Sequence, residues 1–354
     1  MKNVLVVFGS MTPEHDLSCK SAGYIIELMD KEKFNPVPVG ITKDGQWFYT
    51  EASPEDIRDA NAWEKSPTNR KAVLDTNYGS GQLILFNDDN TVEYIHIDLI
   101  FARIAGNTGE DGKLQGLFEM SGIPYVGCGV MSSAVSMDKQ ISYLFADSIG
   151  LRRPQTHIVM RDDYMNDKKT SIDGILNTLI RDKGYPVFVK PASTGSSVGI
   201  SKVNCLEELE PALDMALEFG EKVVLEEGIT GSEVKVAVLG NDKPVFGALS
   251  EFRGEWRDYT RKYEADDDTY RRIPAEFSPE VEKMIKDGAL GIYKAMECRG
   301  FSRIDFFLTD DNELVFNEIN TMPGLKPESV YSVLFDKVGI GYTQMLTMLF
   351  ETAL

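Results

Sequence analysis

The sequence predicts a mixed α/β fold of more than one domain, and three observations support this class. At 354 residues the chain is long enough for two or three domains, each with its own core. Its first segments form an apolar strand, a tight turn at Gly9-Ser10 and a helix, the order in which α/β domains begin. Further predicted strands and helices are interspersed to the end of the chain, without an internal repeat.

The first third of the chain contains short apolar segments separated by polar loops. Strands are predicted at residues 3–8, 37–41, 97–104 and 125–127, and helices at residues 18–29 and 114–121. Residues 52–90 are polar and irregular, so we expect surface loops and a small hairpin there. Residues 105–112 form a loop of glycines and polar groups. We place a first domain over residues 1–127.

The middle of the chain carries a Gly/Ser-rich loop between two predicted strands. The first strand ends at Lys190, the loop spans 192–199, and the second strand covers 200–203. The glycines do not open a helix, which distinguishes this loop from a P-loop. Successive N–H groups and hydroxyls can nevertheless surround phosphate oxygens. A plain hairpin turn is the alternative, but the lysine directly before the loop favours phosphate binding.

The remaining segments complete a second and a third domain, expected at residues 128–232 and 233–354. Helices are predicted at residues 136–149, 206–219 and 279–299, and strands at residues 223–227 and 233–239. Ser278-Pro279 is a typical helix start. Residues 258–268 are highly charged and predict a loop or lid.

A β-hairpin near the C-terminus concentrates charged side chains on one face. Apolar residues alternate on both sides of the turn-forming residues 309–312. A turn centred on Asp310-Asp311 would put Arg303 opposite Glu318 and Asp305 opposite Phe316. The period of two then places four polar residues on one face: Arg303, Asp305, Glu318 and Asn320.

This polar face has the chemistry of a magnesium site. Two carboxylates and one amide oxygen are ligands that Mg²⁺ prefers, often together with substrate phosphates. An acidic, solvated hairpin is the alternative. The opposite face argues for a packed platform, because it is predicted to be apolar: Ile304, Phe306, Val315 and Ile319.

Composition excludes several classes of function. The net charge of −19 argues against binding nucleic acid or an anionic membrane surface. The four cysteines are widely separated without a CxxC pair, which indicates reduced thiols rather than a disulfide framework or zinc site. No apolar run is long enough to span a membrane, and the N-terminus lacks signal-peptide features. We therefore expect a cytoplasmic protein.

Lys139 and Lys190 are separated in the chain but could both contact a triphosphate, together with the hydroxyl-rich loop at 192–199. The acidic hairpin would supply oxygens for Mg²⁺, so this set of residues describes an ATP site between two domains. At this point the chain resembles the D-alanine–D-alanine ligases, which have the ATP-grasp fold. The resemblance covers nearly the whole chain and is strongest in GEDGKLQGLFEMSGIPYVGCGV, SMDK, VKPASTGSSVGISKV and GFSRID…FNEINTMPG. It implies three domains, with ATP held between the central and C-terminal ones, Mg²⁺ (or Mn²⁺ in its place) as cofactor, and a homodimer.

The resemblance also implies roles for particular residues. Metal ligands would be Asp305, Glu318 and Asn320. ATP would contact Lys139, Lys190, Gly195, Ser196, Ser197, Val198, Glu226, Glu227, Ile229, Glu233 and Lys262. Glu14 would bind the ammonium group of the first D-amino acid, with Ser196 and Tyr263 as its hydrogen-bonded partners. Arg303 and the N–H of Gly324 would hold the oxyanion of the tetrahedral intermediate. The carboxylate of the second substrate would be bound by Ser329 and Val330. A tyrosine at position 263 resembles the peptide-forming members of the family.

The departures from the family pattern lie on the substrate side. Ala105 stands where the family usually has histidine, and Lys326 lies in a run that usually reads Thr-Ser-His-Ser. D-alanine is the expected second substrate, and D-serine or another acceptor remains open. A nucleotide-binding paralogue without turnover is an alternative of a different class. A Rossmann oxidoreductase is disfavoured because the GxGxxG fingerprint is absent.

Overall fold

The computed structural model describes residues 1–194, 198–253 and 271–354, and its strands form three sheets. The strands are β1 Lys2–Gly9, β2 Phe34–Ile41, β3 Trp47–Tyr49, β4 Arg70–Leu74, β5 Gln82–Phe86, β6 Val92–His96, β7 Leu99–Ala102, β8 Thr156–Met160, β9 Val187–Pro191, β10 Ser201–Val203, β11 Lys222–Glu227, β12 Ser232–Leu239, β13 Val245–Phe252, β14 Arg271–Arg272, β15 Phe301–Leu308 and β16 Leu314–Asn320.

The helices lie between and around these sheets. They are α1 His15–Leu28, α2 Pro54–Arg58, α3 Ala60–Glu64, α4 Lys113–Ser121, α5 Val130–Met137, α6 Lys139–Ser148, α7 Arg161–Asn166, α8 Lys168–Ile175, α9 Arg181–Lys183, α10 Leu209–Leu217, α11 Pro279–Ala295, α12 Val330–Asp336 and α13 Tyr342–Glu351. A π-helical turn at Leu176–Ile180 joins α8 to α9, and a 3₁₀ turn at Leu206–Glu208 precedes α10. The mixed α/β class is confirmed.

The first sheet has the strand order β6-β5-β4-β3-β2-β1-β7. β1 pairs in parallel with β2 and β7, and the other pairings are antiparallel. The small hairpin expected within residues 52–90 is confirmed, since β4 and β5 form an antiparallel pair there. The expectation of surface loops in the rest of that range is wrong where α2 and α3 lie, and the hairpin is part of the first sheet. Buried Ala72 and Leu74 oppose Leu85 and Leu83, a period-two pattern that the polar neighbours obscured.

Two further predictions in the first half of the chain need correction. The predicted strand at 125–127 is reduced to a single bridge between Tyr125 and Ile100. The predicted helix at 136–149 is confirmed as α6, but it begins at Lys139, because the Asp138 side chain caps it by accepting the N–H of Ile141 at 3.2 Å. The preceding helix α5 was not predicted. The cap leaves Lys139 at the first position of α6.

The second sheet is antiparallel, with the order β10-β9-β11-β8. β9 carries Lys190 directly beside β11, where Lys190 pairs with Val224. The third sheet has the order β14-β13-β12-β15-β16. Its last two strands are the predicted hairpin.

The predicted register of the hairpin is wrong. Arg303 pairs with Asn320 and Asp305 pairs with Glu318, whereas Phe306 pairs with Phe316. The turn is one residue longer than expected, and a β-bulge follows Asp305, leaving Asn317 as the extra residue.

The two irregularities compensate in their effect on the faces of the hairpin. A one-residue shift alone would have turned Glu318 and Asn320 away from Asp305, and the bulge turns them back. The predicted polar face therefore survives. The prediction that Val315 lies on the apolar face with Ile304 and Phe306 is wrong, because Val315 pairs with Phe307. Phe316 takes that place, since it pairs with Phe306 and packs with it in the core.

The C-terminal helices pack against the first sheet rather than only against the third. One core cluster contains residues of β1, β2 and β7 together with residues of α12 and α13. The Phe350 ring, in α13, lies 4.9 Å from that of Phe34 and 5.2 Å from that of Phe101 between centroids. The proposed domain limits stay a prediction. Across the described ranges no helix is long and apolar enough to cross a membrane.

Candidate active site

The polar face of the hairpin extends across three neighbouring strands. Lys235 on β12, Asp305 on β15 and Glu318 on β16 occupy successive paired positions. Asp305 is fully buried, and its Oδ2 accepts the Lys235 ammonium at 2.7 Å. Lys235 also donates to Glu233 Oε1 at 2.6 Å.

Arg303 completes this cluster. Its Nε and one terminal nitrogen donate to the two oxygens of Asp305, at 2.7 Å and 2.8 Å. Such two-point contacts fix the orientation of a guanidinium. Burial alone would raise the pKa of Asp305, but Arg303 and Lys235 outweigh this effect and hold that pKa well below its usual range. Asp305 is therefore an anion at neutral pH.

Lys139 contacts both the hairpin and the loop that follows β9 of the second sheet. Its ammonium donates to the carbonyl of Thr194 at 3.3 Å and lies 3.7 Å from Glu318 Oε2. Thr194 lies within the predicted phosphate loop, and its hydroxyl donates to the carbonyl of Val198 in the same loop at 3.1 Å. The structure thus brings Lys139, Val198 and Glu318 to one region.

A second cluster lies between β9, β11 and α6. Glu226 is buried, and its carboxylate accepts the Lys190 ammonium at 2.5 Å and the Tyr143 hydroxyl at 2.8 Å. Glu227 pairs instead with Lys183 at 2.9 Å and borders a cavity of about 350 Å³. Ile229 is half-buried just beyond β11. The predicted adenine and ribose residues thus lie at the end of β11, just after it and at the start of β12, where Glu233 is the second residue.

Five predicted site residues fall outside the described ranges. They are Gly195, Ser196, Ser197, Lys262 and Tyr263.

Glu14 lies in the loop between β1, a strand of the first sheet, and α1. It occupies the position before α1, yet its side chain does not cap that helix. Its Oε2 lies 3.1 Å from the point that a Cβ on Gly106 would occupy. The 105–112 loop is therefore the neighbour of this carboxylate, and helix capping does not explain Glu14.

Glu110, in the same loop, is a second acid beside Glu14. Its carboxyl group lies close enough to the backbone of Gly106 for that backbone to lower its pKa. Burial raises the pKa of Glu110 to about 7, Glu14 adds to the shift, and the positive charges of Arg103 and Arg303 oppose it. Arg303 and Glu14 are thus close enough to act on one carboxyl, although Arg303 lies in the third sheet and Glu14 directly before α1.

The last group of predicted residues lies after β16. Asn320 Oδ1 accepts the N–H of Met322 at 2.9 Å, and Ser329 Oγ accepts the N–H of Lys326 at 3.1 Å. A Cβ on Gly324 would lie 3.1 Å from Ser329 Oγ, so these two residues are adjacent. Val330 begins α12 directly after Ser329. A helix start offers free N–H groups to a carboxylate.

Positive and negative side chains are equal in number in the region between the second and third sheets. Four cations face four carboxylates there: Lys139, Lys190, Lys235 and Arg303, and Glu226, Glu233, Asp305 and Glu318. A polyphosphate entering this region would have to take over lysines that are now paired with carboxylates.

The predicted metal ligands fit Mg²⁺ by their chemistry. Asp305 and Glu318 are directly paired across the hairpin, and both belong to the oxygen donors that Mg²⁺ prefers. Glu318 is 39% exposed and so faces the open side. Within the described part of the chain no three His, Cys, Asp or Glu residues form a metal-binding group. The predicted set contains only two acids, with Asn320 as the third ligand.

Sequence reasoning missed three residues of this region. Lys235 shares the face of Glu233 two positions earlier, so strand periodicity was a usable signal. Tyr143 lies one helical turn after Lys139 on α6, which was a weaker signal. Arg103 lies in an apolar strand end, and nothing in the sequence indicates its partner.

Comparisons with known proteins agree with this arrangement. Residues 3–128 match the family model described as D-ala D-ala ligase N-terminus, and residues 145–351 match that of the D-ala D-ala ligase C-terminus. A D-alanine–D-alanine ligase of Caldicellulosiruptor bescii is 39% identical over 99% of this chain and 94% of its own length. The vancomycin/teicoplanin A-type resistance protein VanA of Enterococcus faecium is 35% identical over 99% of this chain and 98% of its own.

A solved structure of a related ligase has the same fold as this chain. The crystal structure of the VanG D-Ala:D-Ser ligase from Enterococcus faecalis has a TM-score of 0.88 and 34% identity, and covers 100% of this chain and 99% of that one. The fold and site define an ATP-dependent ligase of the ATP-grasp class. The chain belongs to the D-alanine–D-alanine ligase family.

Proposed function

We propose that this protein joins D-alanine to a second D-amino acid, normally D-alanine, with ATP converted to ADP and phosphate. The product would be D-alanyl-D-alanine for peptidoglycan precursor synthesis. The observation that carries this proposal is the buried Arg303–Asp305–Lys235 cluster in a chain of this family. Nucleotide binding alone does not require an arginine fixed beside the metal ligands, which argues against a paralogue without turnover.

The first half of the reaction activates a carboxylate. A carboxylate is a poor acyl donor, so transfer of a phosphoryl group from ATP makes it an acylphosphate. Lys139 and Lys190 would offset the phosphate charge, and the loop containing Gly195, Ser196, Ser197 and Val198 would surround it. Mg²⁺, or Mn²⁺ in its place, would neutralise phosphate charge when held by Asp305, Glu318 and Asn320.

The nucleotide would extend from the phosphate loop along the central sheet. Glu226 and Glu233 would lie near the adenine and ribose, with the backbone at Glu227 and Ile229 against the base. Lys262 would reach the phosphates. These roles follow from the family resemblance, and the position of the described residues at the end of β11 and the start of β12 is consistent with them.

The second half of the reaction forms the peptide bond. Glu14 would hold the ammonium of the first substrate, with Ser196 and Tyr263 as its partners. The amine of the second substrate, positioned through its carboxylate by Ser329 and Val330, would attack the acyl carbon. The C–N bond forms as the bond to phosphate breaks, so phosphate leaves and the amine loses a proton. Arg303 and the N–H of Gly324 would stabilise the oxyanion that develops. The acylphosphate must be kept from water during this step.

Domain limits and assembly form part of the same proposal. We take residues 1–127 as the substrate domain, 128–232 as the central ATP-grasp subdomain and 233–354 as the C-terminal subdomain. A homodimer acting in the cytoplasm follows from the family resemblance.

A D-serine acceptor is the second candidate. The solved VanG structure is described as a D-Ala:D-Ser ligase, and this chain matches it over its full length. Lys326, on the acceptor side, pairs with Glu328 at 2.7 Å.

Phosphate release in the presence of ATP, D-alanine and a panel of second D-amino acids tests the proposal. Turnover with D-alanine alone supports the first candidate, and turnover that needs D-alanine with D-serine supports the second. Product masses identify the dipeptide. ATP binding without amino-acid-dependent phosphate release from any pair would refute both candidates and favour a paralogue without turnover.

A further inference from the structure

Arg103 is a buried arginine directly after β7. It is 2% exposed, and its backbone is held on both sides. Its N–H donates to the carbonyl of Val7 at 2.7 Å, and its carbonyl accepts the hydroxyl of Ser18. The starting point of the side chain is therefore fixed by β1 and α1.

The guanidinium of Arg103 reaches a loop that lies far away in sequence. One terminal nitrogen donates to the carbonyl of Met322 at 3.0 Å. Its Nε has no hydrogen-bond partner among the described residues. A buried charge is costly, and an apolar side chain of similar size is often as stable or more stable. Packing alone therefore does not account for an arginine at this position.

Met322 belongs to the segment that we call the acceptor loop, residues 321–329. The Met322 peptide is held on both sides, because its N–H donates to Asn320 Oδ1 at 2.9 Å and its carbonyl accepts Arg103. The Tyr342 hydroxyl donates to the carbonyl of Leu325 at 2.5 Å. Gly324, the proposed oxyanion donor, lies between these two anchored carbonyls.

The charges around Arg103 connect it to the substrate side as well. Glu110 lies within electrostatic range of Arg103, Glu14 and Arg303. Ala105, two residues after Arg103, stands where the family usually has histidine. Arg103 thus brings a cation to the end of β7 at which that histidine is missing.

We propose that Arg103 is a positioning residue for the second substrate, acting through the Met322 carbonyl to hold the acceptor loop. In this role it aligns the Gly324 N–H and the start of α12 with the acyl centre. The inference rests on the proposed ligase function. A displacement of about 1 Å in such a loop can cost on the order of 100-fold in rate.

The Arg103→Met variant removes the donor and keeps an apolar side chain of comparable length. We expect the KM for the second D-amino acid to rise about 10-fold or more and kcat to fall, with the Kd for Mg-ATP within about 2-fold of wild type. Arg103→Lys keeps one donor and should recover part of the loss. Tyr342→Phe releases the other anchored carbonyl, so it should give a smaller defect of the same kind.

Arg161→Met is the matched control, because the Arg161 guanidinium also donates to backbone carbonyls, those of Leu217 and Gly220, away from the site. It should leave the acceptor KM unchanged. If Arg103→Met does not fold, Arg103→Lys and Tyr342→Phe decide the question by the same constants.

The outcomes separate this inference from the proposed function. If wild type shows no D-amino-acid-dependent phosphate release, the proposed function fails and this inference fails with it. If wild type turns over and the Arg103 variants keep its acceptor KM and kcat, only the inference is overturned. Equal losses in ATP affinity and acceptor affinity would also overturn it, since they would indicate a general structural role.

Discussion

Substituting Asp305 by asparagine should strongly destabilise the protein. Asp305 is fully buried and accepts three charge-assisted hydrogen bonds, two from Arg303 and one from Lys235, all between 2.7 and 2.8 Å. Asparagine has nearly the same shape but no charge, so it removes the anion that Arg303 contacts and leaves Lys235 with Glu233 alone. Breaking a buried ion pair from one side costs about 3–5 kcal/mol. We expect a loss of that size in the free energy of unfolding at pH 7.

The defect should also depend on pH in a defined direction. The folded-state pKa of Asp305 lies below its unfolded value of 3.8, because Arg303 and Lys235 outweigh the effect of burial. Its stabilising contribution is therefore complete above about pH 4 and is lost as the pH falls towards the folded pKa. The gap between wild type and Asp305→Asn should be constant from pH 8 to 5 and narrow below pH 4.

Urea unfolding followed by circular dichroism at several pH values provides the measurement. Asp310→Asn, in the exposed turn of the same hairpin, is the matched control and should stay within about 0.5 kcal/mol of wild type. If Asp305→Asn unfolds at the same urea concentration as Asp310→Asn, the Arg303–Asp305–Lys235 cluster does not have the energetic role assigned to it.

Three further predictions concern the substrate side. Arg303→Ala should retain measurable Mg-ATP binding by calorimetry while dipeptide formation disappears, and equal loss of both would contradict the oxyanion role. Glu110→Gln should gain thermal stability relative to wild type as the pH rises from 5 to 8. The folded-state pKa of Glu110 is raised from 4.5 to about 7, so wild type loses up to about 3 kcal/mol of unfolding free energy over that interval. A stability difference between the two proteins that does not change with pH would refute the raised pKa. Gly106→Ala should raise the KM for the first D-alanine, because φ is +76° there and a Cβ would lie 3.1 Å from Glu14 Oε2; unchanged kinetics would argue against Glu14 as the ammonium site.

The sequence was most informative where a local pattern has one structural meaning. β1, α1, β9, β11 and the hairpin were all predicted, because strand alternation and helix signals are local properties. Residues 52–90 were predicted less well, because the polar residues around β4 and β5 hide the buried alternation that adds these strands to the first sheet. The helix over 136–149 was predicted with its start three residues too early, because Asp138 caps α6 and so sets its first residue at Lys139.

The hairpin separates local from long-range information most clearly. Its charged residues and its position in the chain were evident from sequence, but its register was not. The pairing depends on the length of the turn and on the bulge after Asp305, between which Phe306 and Phe316 pair and pack in the same core cluster. A pattern of period two cannot reveal an extra residue that restores the same faces.

By itself the sequence determined the fold class, the family resemblance and most of the charged residues of the site, because these depend on residue types and their spacing. The tertiary structure decided which charges meet. It paired Lys235 with Asp305, turned Glu14 towards Gly106 and brought Arg103 to Met322, 219 residues further along the chain. Such partners are chosen by the packing of sheets against one another, which no local pattern in the chain contains.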